Sequence, residues 1–261
     1  MSDIHTTILN ELNNIEHEEA VQILYACESG SRAWGFPSQD SDYDVRFIYI
    51  RKPEWYLTIY EKRDVIERPI SDLLDINGWD LRKALNLFRK SNPPLLEWLH
   101  SPLGYLEKHT AIEQIRSVSP LTFSPKSCMY HYLNMAKGNY RMYLQGERVR
   151  IKKYFYVLRP VLACEWIEKY ETMPPVEFEV LVNEFIPDGS ELKQIVECLL
   201  ARKKSGEELD YEPKLNPINE YLEEKLAYYE QSATSMKGQN HQLDRQLDLL
   251  FRSTLQEAWS Q

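Results

Sequence analysis

The chain has 261 residues, of which 43% are hydrophobic and 12% aromatic, and Lys+Arg 31 against Asp+Glu 40 leave a net charge of −9. This composition suits a folded globular protein with a full hydrophobic core and excludes collagen-like, low-complexity and disordered chains. It also argues against a protein held on nucleic acid by bulk positive charge, so any polyanion must meet a local basic patch.

The first residues, MSDIHTTILNELNNIEHEEA, combine no basic segment with an apolar one, so no signal peptide is expected. No apolar run reaches the ~18–20 residues that span a membrane. Cys27, Cys128, Cys164 and Cys198 stand far apart and form no Cys-x-x-Cys pair. They are expected to be buried free thiols, and the cytoplasm is the simplest compartment.

Ile4, Ile8, Leu12 and Ile15 recur at helical spacing and predict a helix over 3–16, with Asp3 as N-cap. Val21 to Cys27 is a short apolar strand that ends at Gly30-Ser31. After the turn-rich FPSQDSD, the alternation of Tyr43, Val45, Phe47 and Tyr49 with Asp44, Arg46, Ile48 and Ile50 predicts a strand that opens on acids. Residues 56–70 read as a further strand or hairpin, and 73–78 as a short strand. Asp80 then caps a helix, Asn92-Pro93-Pro94 breaks it, and a short helix follows.

Beyond about residue 120 no period-2 strand is legible. Helices are expected over roughly 126–146, 150–171, 175–186, 190–204 and 216–232. Leu243, Leu247, Leu250 and Leu255 then form one stripe of a terminal helix packing on the body. The expected organisation is an α/β (α+β) unit with a small mixed sheet over 1–120 and an all-helical domain over 121–261.

The chemistry-bearing pattern is Gly30-Ser31, ten residues, Asp42-Tyr43-Asp44, and a later acid, Asp75, between Leu74 and Ile76. A Gly-Ser turn after a strand lets backbone N–H groups approach an anion closely. Acids at i and i+2 of a strand point to one side, where their oxygens suit a hard divalent cation. An acid on a neighbouring strand would complete a two-metal site. Glu67 and Asp80 compete with Asp75 for that place, although Asp80 already has a reason to exist as a helix cap.

This pattern resembles the DNA polymerase β-like nucleotidyltransferases. The longer blocks GSRAWGFPSQDSDYDVRFIY, GWDLRKAL, SNPPLLEWL and KKYFYVLRP look like a bacterial and phage family of predicted nucleotidyltransferases that has been associated with RNA repair. The blocks cover about residues 25–170. The resemblance implies a polymerase β-like palm followed by a helical domain, with Mg²⁺ or Mn²⁺ as cofactor and an NTP as substrate. It implies that Gly30 and Ser31 bind the β/γ-phosphates, that Asp42 and Asp44 bind metal, and that Asp75 is the third carboxylate. Arg32 and Ser41 would flank the phosphates.

A second, basic and aromatic constellation follows. Tyr130, Asn134, Lys137 and Arg141 fall on one helical face, and Lys152, Tyr156 and Arg159 share another, with Lys153 alongside. Lys152 and Lys153 are the candidates for NTP or acceptor phosphates; the alternative is a solvated surface over a tyrosine-rich core. No P-loop, GxGxxG or nucleophile elbow is present. The expected partners are a nucleoside triphosphate and RNA, with no membrane. The acceptor stays open between an RNA 3′ end and a small-molecule or protein hydroxyl, and a non-catalytic nucleotide sensor or scaffold is the remaining alternative.

Overall fold

The computed structural model describes residues 3–70, 73–207, 209–236 and 243–260. The chain divides into two compact units: Met1–Ala33, Asp42–Thr122 and His241–Gln261 form one, and Trp34–Ser41 and Phe123–Asn240 form the other.

The first unit is built on a five-stranded mixed sheet in the order β3-β4-β2-β1-β5. β1 (Val21–Glu28) lies antiparallel to β2 (Tyr43–Arg51) and to β5 (Gly104–Glu107). β2 runs parallel to β4 (Leu74–Asp80), and β3 (Val65–Glu67) closes the far edge antiparallel to β4. Helix α1 (Ile4–Glu19) lays Ile8, Leu12 and Ile15 on a core shared with Ile23, Val45, Phe47, Ile66 and Ile76. Gly78 has no side chain because Phe47 fills its place: a Cβ there would stand 2.2 Å from the phenyl ring.

One-turn helices α2 (Gly30–Ala33) and α3 (Pro53–Tyr56) precede α4 (Leu81–Phe88), α5 (Pro93–Leu99) and α6 (Ala111–Thr122). Asp80 caps α4 through the Arg82 N–H at 2.8 Å, as its sequence position predicts. Of the strand or hairpin expected over 56–70, only β3 forms, paired with Trp79, Gly78 and Asn77. The residues before it, with Leu57, Ile59 and Tyr60 exposed, find no strand partner that would bury them. β5 has no counterpart in the sequence reading, because it is four residues long and defined by pairing with β1.

The second unit holds α7 (Pro125–Tyr143), α8 (Phe155–Tyr170), α9 (Phe178–Phe185), α10 (Glu191–Lys204) and α11 (Asn216–Ser235). It is not purely helical. β6 (Arg148–Arg150) and β7 (Tyr211–Pro213) pair as a small antiparallel ribbon, too short to leave an alternating pattern. Residues Ile151–Tyr154 form a 3-10 turn that leads from β6 into α8.

The division also departs from a cut at 120/121. The last helix, α12 (Asp244–Trp259), belongs to the first unit, where it buries Leu247, Leu250, Thr254 and Ala258, and residues 34–41 belong to the second. Cys27, Cys128 and Cys164 are buried free thiols as expected. Cys198 is exposed, because Val196, Leu199 and Leu200 take the inward side of α10. Among the described residues no helix is long and apolar enough to cross a membrane.

Candidate active site

The site is assembled in the first unit where β1 ends and β2 and β4 begin. Ser29 N–H donates to the Asp44 carbonyl at 2.9 Å, which ties the turn after β1 to the start of β2. Gly30 follows with φ +59°, the left-handed region that glycine enters without a Cβ penalty. The need for glycine here is sharper than the sequence showed. A Cβ on Gly30 would lie 2.0 Å from Asp44 Oδ2, so the bare backbone leaves the space that the carboxylate fills.

Parallel pairing sets Asp44 directly opposite Asp75. Of the three acids that compete for the third place, Asp75 is the one that this pairing brings beside Asp44. Glu67 is exposed on β3, where it pairs with Arg63 and accepts from Asn77, and Asp80 is fully buried as the α4 cap. Asp42 lies just before β2 and is exposed; its carbonyl accepts from Arg32 Nε at 3.2 Å. The Arg32 guanidinium also covers the Tyr43 ring at 3.6 Å.

Two residues of the site were not singled out from sequence. Arg46 stands two positions beyond Asp44 and on the same side of the strand. Its Nη2 bonds Asp44 Oδ1 at 3.1 Å and Asp75 Oδ2 at 2.8 Å, and its Nη1 bonds the Asp75 carbonyl at 2.8 Å. The signal was the same i, i+2 spacing that picked out Asp42 and Asp44. Glu28, the last residue of β1, is fully buried; Oε1 accepts the Asp44 N–H at 2.7 Å and Oε2 accepts the Tyr105 hydroxyl. An acid closing an otherwise apolar strand just before the Gly-Ser turn was its signal.

Burial pushes the Asp44 carboxyl above its ordinary range. Arg46 opposes that shift, and the neighbouring charges of Asp75 and Asp42 add to it. Burial likewise raises Glu28, against the hydrogen bonds from Tyr105 and the Asp44 N–H. The four carboxylates Glu28, Asp42, Asp44 and Asp75 meet the two guanidinium groups of Arg32 and Arg46, so the site keeps an excess of negative charge. Its oxygen donors suit a hard divalent cation, and Asp44 and Asp75 are in register to share one. Among the described residues no three His, Cys, Asp or Glu side chains already converge as a metal cage. Arg46 occupies the place between two of the acids.

The remaining candidates lie elsewhere. Ser31 is half-buried in α2. Ser41 belongs to the second unit, where its hydroxyl accepts the Ser38 N–H at 2.9 Å and closes a tight turn. Lys152 and Lys153 sit in the 3-10 turn of the second unit. Lys152 is exposed, while Lys153 lies over the rings of Tyr143 and Tyr156 at 4.4 and 4.7 Å. Burial, then Lys152 and Arg150, lower the Lys153 pKa. Arg159 does not join them as a surface cation: it is 1% exposed, bonds the Val176 carbonyl and packs over Trp34. Lys137 is paired with Glu230 on the outside of α7.

The whole sequence is similar to known proteins. The profile of the RNA repair pathway DNA polymerase beta family matches residues 4–253. The chain belongs to that family. It is 54% identical over 252 residues to the uncharacterized protein YcgL of Bacillus subtilis (strain 168), covering 97% of this chain and 96% of the relative. A solved nucleotidyltransferase-like protein from Exiguobacterium sibiricum aligns with 95% of this chain and 89% of its own at 10% identity, with a TM-score of 0.30, a loose likeness. Gly30, Asp44 and Asp75 all lie within the matched range.

Proposed function

We propose that the chain is a metal-dependent nucleotidyltransferase that moves a nucleoside monophosphate from an NTP to the 3′ hydroxyl of RNA. The observation that carries this reading is the in-register pair Asp44 and Asp75 beside the Cβ-free backbone of Gly30. Membership of an RNA repair polymerase β family supports the choice of RNA.

In this reading the acceptor oxygen attacks the α-phosphorus, the bond to the β-phosphate bridging oxygen breaks, and pyrophosphate leaves. The acceptor proton passes to a carboxylate, for which Asp75 is the candidate. Asp42, Asp44 and Asp75 would hold Mg²⁺ or Mn²⁺, which supplies charge neutralisation of the triphosphate and a more acidic acceptor hydroxyl. Gly30 and Ser31 offer the backbone for the β/γ-phosphates, and Arg32 lies close enough to Asp42 to serve the same anion. Glu28 holds the Asp44 backbone in place. Ser41 is the weaker phosphate candidate, since its hydroxyl is engaged in the turn with Ser38. Lys152 and Lys153 supply basic character in the second unit, suited to phosphates of nucleotide or acceptor.

The net charge of −9 favours a second reading, in which the acceptor is a small molecule or a protein hydroxyl. One experiment separates the two: purified protein, each α-labelled NTP, Mg²⁺ or Mn²⁺ and total cellular RNA, resolved on a denaturing gel with and without protease. Protease-resistant label in RNA is expected. Label lost with protease would move the acceptor to protein, and pyrophosphate release without macromolecular label would move it to a small molecule. Asp44→Asn should lower the rate by more than about a hundredfold while the protein stays folded. A variant within a few fold of wild type would remove Asp44 from the chemistry.

A further inference from the structure

Arg46 raises a question that the proposed reaction does not answer: a fixed cation sits where a divalent one is needed. Its position is built, not incidental. The side chain is largely buried, at 17% exposure, and the two carboxylates it bridges are about a third exposed. Its two terminal nitrogens are differently employed. Nη1 is held by backbone alone, through the carbonyls of Val45 at 3.1 Å and Asp75 at 2.8 Å. Nη2 alone reaches the carboxylate oxygens of Asp44 and Asp75. The anchor is therefore independent of the ion pairs, and the carboxylates can be released without the side chain leaving the strand.

A bridging guanidinium does two things to a pair of facing acids. It cancels their mutual repulsion, keeping them aligned without a metal, and it lowers the negative potential that draws a cation in. Arg46 and a divalent cation compete for the same oxygens.

We propose that Arg46 is a built-in counter-ion that holds Asp44 and Asp75 together in the metal-free protein and competes with the divalent cation for them. This rests on the metal-site part of the proposed function. It assigns Arg46 as a positioning residue that sets metal affinity. Free protein would bind the cation weakly, and full occupancy would come when the phosphates of a nucleotide add anionic ligands and offer the guanidinium another partner.

The test is nucleotide-free binding of Mn²⁺, read from the electron paramagnetic resonance signal of the free ion. Arg46→Met is expected to bind Mn²⁺ at least about tenfold more tightly than wild type, since it removes one positive charge at hydrogen-bond distance from both acids. Arg46→Lys keeps a charge but not the fork, and should tighten binding about threefold. Lys also guards against loss of the Met variant to misfolding. Adding Asp75→Asn to Arg46→Met should abolish the gain. The thermal midpoint of metal-free Arg46→Met should fall below that of wild type, and Mn²⁺ should raise it by more than it raises wild type.

Equal or weaker Mn²⁺ binding by folded Arg46→Met and Arg46→Lys would overturn the counter-ion role, and label transfer from NTP by wild type would show that the proposed function stands without it. Absence of saturable Mn²⁺ binding in wild type and variants alike would overturn both the role and the metal site.

Discussion

Gly30 shows how a single missing atom can organise a site. The position combines φ +59° with a carboxylate oxygen 2.0 Å from where a Cβ would stand. The left-handed region alone costs an L residue roughly 1–2 kcal/mol, and an added methyl must also displace the Asp44 carboxylate from its place. Gly30→Ala is therefore expected to lose both stability and activity, with the larger loss in activity. A melting curve and the labelled-NTP rate measured on the same preparation check this. A drop in melting temperature with an unchanged rate would mean that Asp44 does not need the place that Gly30 gives it. Arg46 and Glu28 belong to the same scale: one faces the carboxylate of Asp44 and the other holds its backbone N–H.

At the scale of elements, the junction of β4 and α4 carries a buried acid with a structural purpose. Asp80 is fully buried, accepts the Arg82 N–H and the Tyr56 hydroxyl, and burial still drives its carboxyl above the ordinary value of 3.8. The folded protein thus holds this proton more tightly than the unfolded chain does. Its contribution favours folding in acid and is lost as pH rises from the unfolded value through the raised folded one. Asn keeps the capping oxygen, turns its NH2 as a donor toward the Tyr56 hydroxyl oxygen in place of the acceptor Oδ2, and removes the buried charge, so Asp80→Asn should melt higher than wild type at pH 7–8, with the gain shrinking toward pH 4. Asp80→Ala loses the cap, worth about 1 kcal/mol, and leaves the Tyr56 hydroxyl without its acceptor. It should melt lower throughout. Melting curves of the three proteins from pH 4 to 8 decide the matter, and an Asn variant less stable than wild type at pH 8 would refute the burial argument.

The same scale explains what could be read from sequence. β2 was legible because it alternates over nine residues, and α1 and α4 because their apolar stripes and caps are local. The candidate acids were legible because Asp42 and Asp44 stand two residues apart where an alternating strand opens, although the strand itself begins at Tyr43, and because Asp75 lies between apolar residues. What sequence could not supply was register. That Asp44 stands opposite Asp75, with Arg46 bonded to both, depends on pairing between strands thirty residues apart. β5 and the β6–β7 ribbon were missed for a related reason: each is three or four residues long and exists through its partner. Arg159 was misread as part of a basic face because helical spacing gives the direction of a side chain, not what covers it; eleven residues of α8 are buried.

At the scale of the whole molecule, the chain closes its first unit with its last helix. Leu247 and Leu250 of α12 are 6% and 5% exposed, and α12 packs on α4 and α6. Arg89 pairs with Asp244 at 3.0 Å, Gln22 donates to the Ala258 carbonyl at 2.6 Å, and Phe251 meets the Tyr56 ring edge-on at 5.0 Å. Burying a leucine contributes roughly 1.5–3 kcal/mol, so two leucines with their supporting contacts amount to much of the 5–15 kcal/mol that stabilises a typical domain. A chain ending at residue 240 should therefore lose the cooperative melting of the first unit, and with it nucleotide transfer, although every acid of the site remains in the sequence. Far-UV circular dichroism should fall by more than the sixteen helical residues removed. A truncated protein that loses only those sixteen residues of helix and keeps its transition would show that α12 merely lies on a unit already complete. The expected collapse would instead place the stability of a candidate site near the start of the chain under the control of its end, because α12 adds its buried leucines to α4 and α6, which themselves pack on the strands β1, β2 and β4.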